Sequence, residues 1–155
     1  MTEVELTGDD LNFFSNFEKI THVMPSDYLA TENTLIFLVK MDVLGKAIGK
    51  GGSNVEKLKR MFRKKVVVVG DSEDPEVFLK SFFGNIHIYN LDMRDVMGEK
   101  NYMMIIDEKD RGIAIGRDGE RIKAAKTLLK KKFNATVHVR TRRPQIDMDM
   151  GGPVQ

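Results

Sequence analysis

The chain has 155 residues, 41% hydrophobic and 31% charged, a globular composition with room for one ordinary domain or two small ones. It contains no cysteine, which excludes disulfides and thiolate metal centres and points to an intracellular, cytoplasmic protein. The first ten residues carry the wrong sign for a signal peptide, and the longest apolar runs, residues 35–39 and 66–69, fall far short of the ~20 residues that cross a bilayer, so no membrane partner is expected.

The net charge of +2 conceals a segregated pattern. Residues 1–34 sum to −6, residues 40–65 to +7, residues 71–108 to −6 and residues 109–143 to +9. A uniformly basic polyanion binder would not alternate in this way. Two copies of one plan, each with a basic working half, would.

In chain order, residues 11–20 have helical spacing, with Asp9 or Asp10 as N-cap and Phe13, Phe14 and Phe17 on one side. Residues 22–30 read as a strand that Pro25 confines to an edge or a bulge. Residues 34–40 are a buried strand, and residues 43–48 a short helix stopped by Gly49. A second helix opens near Ser53 and turns Val55, Leu58, Met61 and Phe62 to the core, followed by a β-branched strand over 65–69.

The order then starts again. Pro75 opens a helix carrying Phe78, Leu79, Phe82 and Phe83. Strands follow over 86–91 and 102–106, then a short helix to Ile115, a longer helix with Ile122, Ala125, Leu128 and Leu129, and a last strand over 135–140. The expected domains are residues 1–70 and 71–143, joined by a link too short for much freedom and expected to pack on each other. A tail over 144–155 is expected to fray.

The duplication is visible in the letters. Gly45-Lys46-Ala47-Ile48-Gly49-Lys50-Gly51-Gly52 recurs at an offset of 67 as Gly112-Ile113-Ala114-Ile115-Gly116-Arg117-Asp118-Gly119. Val55 with Ile122, Lys59 with Lys126 and Met61 with Leu128 keep the same offset. Each copy places one helix end and one helix start around a Gly-x-x-Gly loop. A helix start offers unpaired N–H groups and the positive end of its dipole. Flanking glycines admit a phosphodiester without a Cβ in the way, and Lys50 or Arg117 adds charge.

A single Gly-x-x-Gly is an ordinary tight turn between helices; its recurrence in the same apolar context favours a ligand site. Other phosphate loops fit poorly. The first copy is one residue short of a Walker A loop and lacks its Ser/Thr, and neither copy has the Gly-x-Gly-x-x-Gly of a dinucleotide site.

Ile-Gly-x-x-Gly-x-x-Val/Ile, at residues 48–55 and again at 115–122, resembles the signature of the KH family. That resemblance covers residues 9–141 and implies single-stranded RNA as partner, each loop clamping about four nucleotides. With a helix and strand before each core strand and only a polar tail after Arg140, the chain resembles two tandem type II KH domains. The fold class implied is α+β, each domain a three-stranded sheet packed on helices in the order helix, strand, strand, helix, Gly-x-x-Gly, helix, strand.

A nearly linkerless pair of such domains resembles the RNA-binding half of the NusA family, and a chain of this length its archaeal form. The resemblance implies action in transcription termination or elongation control through nascent RNA, with RNA polymerase as a further candidate partner. A ribosomal or ribosome-assembly KH protein is the alternative, and a scaffold whose loops no longer bind RNA is a third reading.

The expected RNA-binding residues are the loops themselves, Gly49, Lys50, Gly51 and Gly52 with Gly116, Arg117, Asp118 and Gly119. Lys46, Lys57, Arg121 and Lys123 lie nearest them as phosphate contacts, and Ile48, Val55, Ile115 and Ile122 form an aliphatic groove for bases. Asp118 opposes Arg117, so the first loop is expected to contribute more affinity than the second. The further lysines of both long helices read mostly as solvated surface. No nucleophile, cofactor loop or metal-ligand spacing appears, and His22, His87 and His138 are scattered; an enzyme is not expected.

Overall fold

Helix α1 (Gly8–Thr21) already includes Asp9 and Asp10 in its first turn, so neither stands before it as the expected cap. The computed structural model describes residues 8–143, with side-chain surroundings from residue 12 onward; the fraying expected of residues 144–155 falls outside the described residues. The chain divides between Asp74 and Pro75 into two compact units.

In the first unit α1 stops abruptly. His22 takes the left-handed conformation at φ 60°, and its N–H donates to Glu18 O at 2.8 Å. The buried Thr21 hydroxyl donates to Phe17 O at 2.8 Å and accepts from the Val23 N–H at 3.1 Å. This helix exit consumes residues 22–26, so strand β1 is only Asp27–Ala30 and not the expected 22–30. Local side-chain and backbone bonding at the helix exit takes these residues out of the strand.

Strand β2 (Thr34–Lys40) lies at the centre of the sheet, antiparallel to β1 and parallel to β3 (Lys65–Asp71). Residues 34–39 are buried on both faces, as their uninterrupted apolar run predicts. A parallel neighbour requires a crossover, here made by two helices, α2 (Leu44–Ile48) and α3 (Ser53–Phe62). Phe17 of α1 stacks on Phe37 at 4.4 Å, and Phe13 meets Tyr28 and Phe62 edge-on. Leu58 is fully buried while Met61, expected in the core, is 43% exposed. Val55, Leu58 and Phe62 share one stripe of the helix, and Met61 falls roughly 90° to its side.

The second unit repeats the plan. Helix α4 (Pro75–Phe82) precedes β4 (Ile88–Val96), β5 (Glu99–Asp107), α5 (Arg111–Ile115), α6 (Glu120–Phe133) and β6 (Ala135–Arg142). Strand order is β4-β5-β6, antiparallel then parallel. Phe78, Phe83, Met104, Ile106, Leu128, Leu129 and Val137 form its core, each almost fully buried. Two three-stranded sheets, each with its helices in this order, are the α+β architecture expected from the sequence.

Strand β4 differs from expectation: it starts two residues late and continues through Asp92-Met93-Arg94-Asp95-Val96. These residues are exposed at the sheet edge, so no apolar alternation announces them. Met97 and Gly98, at φ 56° and 90°, close the hairpin, with Val96 and Glu99 as partners on either side. A two-residue loop with both φ positive suits Asn at its first position far better than Met. Met97→Asn is therefore expected to stabilise the unit by about 1 kcal/mol. A urea midpoint that fails to rise would refute this.

Candidate nucleic-acid interface

Each crossover breaks at the same place. Gly49 ends α2 at φ 81°, with its N–H donating to Gly45 O at 3.0 Å. One tight turn follows, Gly51 at φ 62° and Gly52 at φ 77°, before α3 begins at Ser53. In the second unit Gly116, Asp118 and Gly119 take φ 81°, 54° and 75°, and α6 begins at Glu120. The two loops are one backbone conformation written with different side chains.

Packing fixes the first glycine of each loop. A Cβ on Gly49 would stand 2.9 Å from the Asn54 backbone nitrogen, and one on Gly116 would stand 2.8 Å from that of Arg121. Around Gly51 and Gly52 there is nothing within 4 Å of such a Cβ. One side of the loop is thus pressed against the next helix, and the other side is open.

The open side leads to donors. Gly52 and Gly119 occupy the N-cap positions of α3 and α6, and neither helix start has a side-chain cap. The first N–H groups of a helix have no partner within it, and here glycine offers none. Lys50 is exposed beside one start and Arg117 beside the other. An uncapped helix start beside a cation is an arrangement that suits an anion in general.

The second position after each loop does something the sequence reading missed. Asn54 Nδ2 donates to Lys46 O at 3.1 Å, and Arg121 Nη1 donates to Ile113 O at 3.1 Å. Donor and acceptor correspond at the offset of 67, so both units clip the short helix to the long one. Arg121 reaches further. Its Nη2 donates to Asn85 Oδ1 at 2.6 Å and to Phe82 O at 3.2 Å, and its guanidinium carbon lies 5.1 Å from the centre of the Phe83 ring. Burial lowers its pKa from the ordinary arginine value. The guanidinium expected to contact phosphate is held by these three acceptors within the second unit.

The remaining expected residues are placed as follows. Lys46 and Lys57 are exposed on α2 and α3, and Ile48 and Val55 are half-buried beside the first loop. In the second unit Asp118 is exposed, Ile115 is half-buried, and Lys123 lies with its Nζ 3.5 Å from Asp118 O. Ile122 is only 9% exposed and belongs to the core, whereas its counterpart Val55 is half-buried. Charges around the loops are not copied: Ile113, 48% exposed, stands where the first unit has Lys46, and Lys123 where it has Glu56. Among the described residues no group of acids and histidines is placed to hold a metal, and no helix is long and apolar enough to cross a membrane.

Comparison with known proteins also finds two segments, whose boundary falls within β4 and not between Asp74 and Pro75. The KH domain family matches residues 15–91 and 95–146. The probable transcription termination protein NusA of Methanocaldococcus jannaschii is 30% identical over 136 residues, spanning 88% of this chain and 74% of that one. The protein of the same name from Halococcus morrhuae is 29% identical over 131 residues, 84% of this chain and 94% of its own. The crystal structure of APE1850 superposes with a TM-score of 0.69 at 34% identity, covering 88% of this chain and 99% of that one. A Gly-x-x-Gly loop of one conformation in each half, family matches on both segments and this level of identity together establish that the chain belongs to the KH domain family and, within it, to the archaeal NusA-like proteins.

Proposed function

We propose that the chain binds single-stranded RNA through both Gly-x-x-Gly loops and acts on nascent transcripts in transcription termination or elongation control. The observation that carries this reading is the pair of uncapped helix starts, each behind a Gly-x-x-Gly loop whose flanking glycines have positive φ and beside an exposed cation. The names of the archaeal relatives support the place in transcription. RNA polymerase is the protein partner that this reading proposes.

Binding is carried by phosphate contacts at the loops. Each phosphate neutralised adds about −0.7 to the slope of log affinity against log salt on single strands. Titration of a panel of single-stranded RNAs between low and physiological salt should show two to four such contacts, a slope of roughly −1.5 to −3. Affinity indifferent to salt would overturn the reading. Crosslinking in cells separates the two RNA classes: nascent transcripts support the transcription role, and mature rRNA as the dominant target supports ribosome assembly instead.

A further inference from the structure

We infer that Arg121 is a positioning residue for the second loop: it acts on RNA binding through the clip from Ile113 to Asn85 and not by touching phosphate. The inference rests on the RNA-binding reading and sharpens it at one site. Three acceptors hold the guanidinium, Ile113 O, Phe82 O and Asn85 Oδ1, at 3.1, 3.2 and 2.6 Å. The Phe83 ring lies against it. Its stem packs where a Cβ on Gly116 would fall, 2.7 Å from the Arg121 Cβ. One side chain therefore joins the end of α4, the short helix α5, the first loop glycine and the first turn of α6.

Among the described residues the equivalent Asn54 makes only the local tie, to Lys46 O. Loop 2 is consequently anchored to a third element where loop 1 is not. An anchored helix start holds its N–H groups in the geometry a phosphate needs before the ligand arrives, and so lowers the ordering cost of binding. This matters most in the loop whose Asp118 opposes the ligand. A bidentate or forked pattern to several acceptors is also what lysine cannot reproduce.

That difference supplies the test. In the full-length chain the first loop is disabled with Lys50→Asp and Gly51→Asp, and binding of a fluorescein-labelled single-stranded RNA is read by anisotropy across salt. In that background Arg121→Lys keeps the charge and loses the clip, while Asn85→Ala removes the anchor and leaves every cation in place. Both are expected to weaken binding about threefold to tenfold with the salt slope unchanged. Amide exchange at residues 119–121 of the free protein should accelerate in both variants, with exchange in the core strands unchanged.

If Arg121→Lys binds as well as its parent, or if Arg121→Ala reduces the slope by about 0.7, the residue is a phosphate contact and the inference fails. If Asn85→Ala binds like its parent, the anchor is irrelevant and the inference fails as well. If the wild-type chain binds no RNA at any salt, it is the RNA-binding reading that falls, and amide exchange alone still reports whether the clip exists.

Discussion

Gly116→Ala is expected to destabilise the second unit by about 3 kcal/mol, and Gly119→Ala by about 1 kcal/mol. Both positions have positive φ, which costs an alanine about 1–2 kcal/mol. Only at Gly116 does the new methyl also meet backbone, 2.8 Å from Arg121 N, an overlap that adds about 1–3 kcal/mol because the first turn of α6 must shift. Beside Gly119 the nearest atom is Lys123 Cε at 3.5 Å, an ordinary contact at the end of a flexible chain. The same ordering is expected for Gly49 over Gly52. Urea unfolding, with amide exchange in β5 and β6 assigning the loss to its unit, measures the difference; equal losses at the two glycines would show that the close approach of α6 is not what fixes the first one.

Aspartates at both Lys50 and Gly51 are expected to weaken single-stranded RNA binding about a hundredfold, against about tenfold for Arg117→Asp. Each charge-assisted contact contributes about 1.5–3 kcal/mol, and the double change removes one cation and places two carboxylates at an anion site. The fold should tolerate it. A Cβ on Gly51 has open space around it, and the second loop already holds an aspartate, Asp118, at the same left-handed position. Anisotropy titrations at fixed salt, with thermal midpoints confirming intact folding, would measure the ranking. Equal losses in the two loops would refute the view that Asp118 handicaps the second.

What the sequence disclosed and what it hid have different physical origins. The loops were legible because glycine, apolar and basic positions recur together at one offset, and both come out with the same dihedral angles. Strand β2 was legible because a strand buried on both faces has no polar interruption. The start of β1 was misread because His22 leaves the helix in a left-handed conformation, and residues 22–26 serve the helix exit instead of the strand. The outer half of β4 was misread because an exposed edge strand needs no apolar alternation.

Arg121 illustrates a harder limit. Its charge and its distance of two residues from Gly119 suggested a phosphate contact, yet two of its acceptors, on Phe82 and Asn85, stand 39 and 36 residues away in the chain. Only the packing of α4 beside the loop brings them into reach. The alignment of the two copies still held a clue, since it pairs Arg121 with Asn54, a residue suited to bonding carbonyls.

The bare starts of α3 and α6 carry a kinetic consequence. Glycine in place of serine or aspartate at such a position costs only a few tenths of a kcal/mol, because water solvates the amides instead. On the proposed reading, an incoming phosphate oxygen displaces water and has no side-chain cap to evict. On that reading, the speed of capture at either loop is set by diffusion and by the basic charges around the opening.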